Sequence, residues 1–181
     1  MPSLSKIPQD INKYAIKCAR KICNEKIEFA KGIDFKLDKI TNQTDFRMGA
    51  EKEIPKEVYN LELDPKDVFI HNHPPVPNSC RELSLQDVTL TVYRDIKKIF
   101  ASTPEGYTSI DMTTVKKSLS KQEMLNWIFA QAEVLTIEKH IGENYILEHY
   151  KTIRAFAKFT GATFSEVKWN DYDKVRLKRE P

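Results

Sequence analysis

The sequence has only three cysteines and no long apolar run, and these two absences exclude several classes of protein. Cys18, Cys23 and Cys80 provide no disulfide framework and no Cys-x-x-Cys pair, and their odd number is typical of a chain kept in a reducing compartment. No stretch reaches the ~18 apolar residues that a membrane-spanning helix needs. The first residues, MPSLSKIPQDINKYA, also lack the apolar centre of a secretory signal. We therefore expect a cytoplasmic protein that is not associated with a membrane.

An excess of charge of one sign is also missing. The chain has 29 Lys and Arg residues against 26 Asp and Glu residues, for a formal net charge of +3. This balance does not favour nucleic acid as a partner. The remaining composition, with 40% hydrophobic and 30% charged residues over 181 positions, is typical of one globular domain with its own core.

Hydrophobic periodicity predicts a single α+β domain with a mixed or antiparallel sheet. An N-terminal helix is expected over 8–25, a core of strands around one helix over 26–113, a C-terminal helical extension over 120–165 and a solvated basic tail over 166–181. The finer predictions are strands at 27–40, 66–72, 97–103 and 106–112, a strand or loop at 44–54, a short helical piece at 54–63, and helices at 84–96 and on both sides of 142–144.

The most distinctive segment is VFIHNHP, residues 68–74, which contains two of the four histidines at the end of an apolar run. Residues two apart on a strand point to the same face, about 6.6 Å apart along the chain, so His71 and His73 are expected to face one point. Two such imidazoles suit zinc or iron(II), and a catalytic zinc site adds a third protein ligand and leaves a position for water. A helix that begins near Ser84 would bring Asp87 to this point as the third ligand.

Each half of this pattern also has a purely structural explanation. Ser-x-x-Asp before an apolar helix is a capping box, and a His-x-His pair alone does not require a metal. The combination of the two halves, separated by one short loop, favours a metal site. For Cys80, His140 and His149, which have no partner at ligand spacing, we expect loop, surface or helix-end roles.

HNHP followed by SLQD resembles the JAB/MPN metalloprotease motif, in which an upstream Glu precedes His-x-His-Pro and Ser-x-x-Asp. The HNHP spelling is nearest to bacterial and phage branches of that superfamily, including RadC-like proteins, although the nine-residue spacer between the two segments is a few residues longer than usual. The resemblance covers about residues 25–112. It implies a JAB/MPN-like (cytidine-deaminase-like) mixed sheet flanked by helices, with the C-terminal helical pair as an addition, and a Zn²⁺ ion bound by His71, His73 and Asp87.

The resemblance further implies a glutamate that acts as general base and a serine that donates to the oxyanion. We assign the base to Glu28, which opens the first predicted strand, and Glu25 is the alternative. Ser84 would be the oxyanion donor, a use that competes with helix capping for one hydroxyl.

The implied activity is zinc-dependent hydrolysis of a peptide or isopeptide bond in a protein or peptide substrate. Two alternatives stay open: a JAB-like binding or scaffold module without catalysis, such as a phage or mobile-element accessory, and a RadC-like protein that processes nucleic acid. The near-neutral charge counts against the second alternative. The sequence does not define an oligomeric state.

Overall fold

The computed structural model describes residues 9–37, 39–48, 67–75, 83–140 and 145–177. Within these residues, helices and strands alternate much as the periodicity predicts, and no helix has both the length and the apolar character needed to cross a membrane. The helices are α1 (Gln9–Ile22), α2 (Leu85–Tyr93), α3 (Lys121–His140), α4 (Tyr145–Thr160) and α5 (Trp169–Leu177). The strands are β1 (Phe29–Lys36), β2 (Lys39–Gln43), β3 (Arg47–Met48), β4 (Val68–Asn72), β5 (Lys98–Ser102), β6 (Gly106–Asp111) and β7 (Thr163–Lys168).

The strands form one mixed sheet. Its order is β2-β1-β4-β5-β6-β7, and the short β3 also pairs with β1. Only β4 and β5 are paired in parallel among the described strands, and α2 forms the crossover that a parallel pair requires. The chain is therefore α+β with a mixed sheet flanked by helices, as predicted.

Helices cover both faces of this sheet. On one face, α1 packs against Val68 and Ile70 of β4. On the other face, α2, α3 and α4 share a core with Phe69, Ile99 and Ile110. Because β4 is central and buried on both faces, it has a continuous apolar run rather than an alternating one.

The C-terminal segment differs from the prediction. We expected a helical extension over 120–165 and a basic tail over 166–181, but after the two helices α3 and α4 the chain adds β7 to the sheet beside β6 and then forms α5. Trp169 at the start of α5 is 2% exposed, its Nε1 donates to the carbonyl oxygen of Thr103 at 2.9 Å, and the guanidinium of Arg20 lies 4.7 Å from its ring centre. Without β7, the backbone N–H and C=O groups along the outer edge of β6 would have no hydrogen-bond partners. The segment TFSEVK, which forms β7, supplies these partners.

Several predictions fall outside the described residues. These are the helical piece at 54–63, most of the segment 44–54, Cys80 with most of its loop, and the side chains of His140 and His149.

We predict that Trp169→Ala lowers the free energy of unfolding by about 3–5 kcal/mol, because it removes a buried aromatic side chain that joins α5 to the body of the domain. Urea unfolding followed by circular dichroism measures this change. Asn170→Ala is the matched control, since Asn170 is the exposed neighbour, and we expect its effect to stay within about 0.5 kcal/mol. An unchanged midpoint for Trp169→Ala would show that α5 does not contribute to the cooperative core.

Candidate metal centre

The end of β4 presents both histidines on one face of the sheet. The two Nε2 atoms lie 3.0 Å apart, and both residues are almost inaccessible to water, with exposures of 0% for His71 and 8% for His73. Phe69 precedes them on the same face, with its ring centre 5.9 Å from that of His71. The backbone N–H of His73 donates to the carbonyl oxygen of Ser102 at 2.9 Å, which continues the pairing with β5 beyond the last residue of β4. The strand geometry predicted for this pair is therefore present.

Asp87 reaches the histidines from the first turn of α2. Its Oδ1 lies 3.2 Å from Nε2 of His71 and its Oδ2 lies 3.5 Å from Nε2 of His73. The start of the helix is anchored to the sheet by the backbone N–H of Leu83, which donates to Oγ1 of the buried Thr108 on β6 at 3.0 Å. This anchor holds the helix start over the end of β4, and the predicted third side chain joins the pair.

Ser84 and Asp87 also form the capping box that was the structural alternative. The Ser84 Oγ accepts from the backbone N–H of Asp87 at 3.1 Å, and Asp87 Oδ2 accepts from the backbone N–H and the hydroxyl of Ser84, both at 2.7 Å. The capping box thus orients the carboxylate toward the histidines, so the two explanations are compatible. Because the Ser84 hydroxyl donates to Asp87, it would have to rotate to stabilise an oxyanion, and that role stays a prediction.

The three side chains bring their ligand atoms close enough to share one ion. The two Nε2 atoms are 3.0 Å apart, one Asp87 oxygen lies 3.2 Å from His71 and the other lies 3.5 Å from His73. One ligand atom from each residue lies within 4.8 Å of the other two. Among the described residues, His71, His73 and Asp87 are the one group of His, Cys, Asp and Glu side chains that converges in this way. Two imidazoles and a carboxylate fit zinc and iron(II).

The local electrostatics keep the Asp87 carboxyl ionised. Burial by itself raises the pKa of the Asp87 carboxyl, but the charges of His71 and His73 and their hydrogen bonds to it outweigh burial and hold this pKa well below its ordinary value. The Nδ1 atom of His71 is buried without a hydrogen-bond partner in the described part of the chain. A carboxylate that is shielded from water requires a positive charge nearby, and a metal ion bound by neutral imidazoles would supply it.

The structure distinguishes the two glutamates considered as the base. Glu28 is 7% exposed, whereas Glu25 is exposed to solvent. Phe29 packs on the α1 side of the sheet and Ala30 lies in the opposite core, where it is the register partner of His71. Glu28 immediately precedes β1. Its burial distinguishes it from Glu25, and the base role stays a prediction.

Asn72, between the two histidines, had no role assigned from the sequence. It is 0% exposed, its Oδ1 accepts from the backbone N–H of Phe29 at 2.6 Å, and its Nδ2 donates to the carbonyl oxygens of Ile27 at 3.0 Å and Glu25 at 3.3 Å. The available signal was an amide side chain inside an apolar strand, because buried polar groups need partners. Thr108 was also missed, since one threonine on a strand forms no distinctive pattern.

No protein-family model, curated protein or solved structure matched this chain. The resemblance to the JAB/MPN motif therefore rests on the HNHP and SLQD segments of the sequence.

We predict that the untagged protein binds about one zinc ion per chain after dialysis, because two imidazoles and a carboxylate converge closely enough to share one ion. His73→Ala and Asp87→Asn should weaken binding at least about 100-fold, since even loss of an outer hydrogen-bond partner costs 10–100-fold. Elemental analysis measures the stoichiometry, and competition with a chelator measures the affinity.

Asp87→Asn preserves the size of the side chain and a capping oxygen, so its effect reports the lost charge rather than a lost helix cap. Gln86→Ala, at the exposed preceding position, is the control and should bind zinc normally. Full zinc content in both ligand variants would contradict the assignment of this centre.

Proposed function

We propose that this protein is a zinc-dependent hydrolase of the JAB/MPN type that cleaves a peptide or isopeptide bond. The observation that carries the proposal is the convergence of the buried side chains of His71, His73 and Asp87 on one point. Glu28, the proposed base, is buried as well. The HNHP strand end, the capped SLQD helix and the mixed sheet flanked by helices support the same family.

The three ligands found among the described residues favour a catalytic site over a structural one. Structural zinc sites are usually closed by four protein ligands, whereas catalytic sites have three and leave a position for water or substrate. A zinc ion bound by His71, His73 and Asp87 would supply Lewis-acid activation at neutral pH.

Glu28 would transfer the proton that hydrolysis requires. As the oxygen of a water molecule bonds to the substrate carbonyl carbon, the Glu28 carboxylate would accept a proton from that water. As the C–N bond breaks, the same proton would pass to the departing amine nitrogen. Ser84 would donate to the negatively charged carbonyl oxygen after its hydroxyl turns away from Asp87.

The expected substrate is a protein or peptide. The attacked carbonyl belongs to a peptide bond or to an isopeptide bond on a lysine side chain, which present the same amide chemistry to the site. The near-neutral charge of the chain gives no electrostatic support for a nucleic-acid substrate.

We predict that Glu28→Gln binds zinc as the unmodified protein does but hydrolyses substrate about 10²–10⁴-fold more slowly, because the amide cannot accept the proton. Glu25→Gln should retain the activity, since its side chain is exposed. The assay is mass spectrometry of a peptide library and of lysine-linked isopeptides, with zinc content measured on the same samples.

Two outcomes would count against the proposal in different ways. Undiminished hydrolysis by Glu28→Gln would refute Glu28 as the base. A fully zinc-loaded protein that cleaves none of these substrates would favour the binding-module alternative.

A further inference from the structure

We propose that Asn72 is a positioning residue that fixes Glu28 relative to the metal ligands, so that one short strand end sets the geometry of both. This inference rests on the proposed function, because it assigns a use to Glu28. It goes beyond the proposed function because it assigns a role to Asn72, whose side chain lies on the opposite side of β4 from the candidate metal centre.

The hydrogen bonds of Asn72 enclose Glu28 on both sides along the chain. Oδ1 accepts from the N–H of Phe29, the residue after Glu28, and Nδ2 donates to the carbonyl oxygen of Ile27, the residue before it. A third bond reaches the carbonyl oxygen of Glu25. Both amide hydrogens and the amide oxygen are therefore used, and the reversed amide would place its oxygen against two carbonyl oxygens. The side chain has one acceptable orientation.

The backbone at Glu28 needs such a constraint because it lies just outside the sheet. β1 begins at Phe29, and the last register pair between β1 and β4 is Ala30 with His71. Regular strand pairing thus ends before Glu28. The Asn72 side chain replaces the missing main-chain partner and holds the turn that leads into β1.

The same strand also fixes the metal ligands. β4 is paired with β5 through His71 and Ala101, and the N–H of His73 donates to the carbonyl oxygen of Ser102. Asn72 therefore connects Glu28 to a strand that is itself held in place. A displacement of about 1 Å at a reacting group can lower a rate by about 100-fold, so this connection matters for catalysis.

A purely structural role for Asn72 makes a different prediction. If Asn72 only satisfies buried polar groups, its removal should lower stability without moving Glu28. If it positions Glu28, the carboxylate should shift or spread over several conformations while the metal ligands stay in place.

The first test compares crystal structures of zinc-loaded protein with those of Asn72→Ala and of Ser102→Ala. Ser102 is the matched control, because it is the register partner of Asn72, is equally buried, and its hydroxyl donates to the His71 carbonyl oxygen. We expect Asn72→Ala to retain zinc and its ligand geometry, to move the Glu28 carboxylate by more than about 1 Å, and to lose hydrogen-exchange protection at the Phe29 amide. Ser102→Ala should leave the Glu28 carboxylate and the Phe29 amide unchanged.

If the Glu28 carboxylate keeps its position in the crystal structure of Asn72→Ala, the inference is overturned, regardless of the hydrolytic activity of that variant. Should Asn72→Ala fail to fold, Asn72→Val serves instead, because a β-branched residue favours the strand and has no hydrogen-bonding group.

The second test is a kinetic cycle of Glu28→Gln, Asn72→Ala and the double variant. We expect Asn72→Ala to lower kcat about 10–100-fold with little change in KM, and the double variant to be no slower than Glu28→Gln alone. If the fold-reduction in kcat of the double variant equals the product of the two single reductions, Asn72 acts independently of Glu28, and the inference is overturned. Wild-type activity of Glu28→Gln would instead refute the proposed base, while the crystal structures would still decide whether Asn72 holds Glu28.

Discussion

The parallel pairing of β4 with β5 is the constraint on which the candidate metal centre depends. A parallel pair requires the chain to cross from the end of one strand to the start of the next, and here the crossover is α2. The crossover begins where β4 ends, which is where His71 and His73 lie. The first turn of α2 is consequently placed over the two histidines, and Asp87 completes the group of three. The bond from Leu83 to Thr108 fixes this arrangement on the sheet.

The cost of burying three polar side chains explains why the centre has internal hydrogen bonds and why a bound cation would stabilise it. Ser84 holds the Asp87 carboxylate through its backbone N–H and its hydroxyl, but this leaves the imidazoles crowded against an anion with little access to water. A divalent ion between the ligands would offset that cost. Asn72 solves a similar problem on the other side of β4, where it satisfies backbone groups of the segment that carries Glu28.

The parts of this account that the sequence could predict depend on short-range periodicity. The two-residue repeat of a β-strand predicted that both histidines lie on one face. Ser84 predicted a helix start three residues before Asp87. The strand β7 could not be predicted in the same way, because its stability comes from pairing with β6 more than 50 residues earlier. The difference between Glu28 and Glu25 depends on where β1 begins, and strand ends are poorly defined by local pattern. The partners of Asn72 lie 43 to 47 positions away, beyond any local signal.

The central claim is that two imidazoles and one carboxylate bind a single metal ion, and X-ray absorption at the zinc edge of the loaded protein tests it most directly. The account predicts about four nitrogen and oxygen neighbours at ~2.0–2.1 Å, together with the outer-shell scattering of two imidazole rings. A sulfur neighbour at ~2.3 Å, or a spectrum without imidazole scattering, would contradict it.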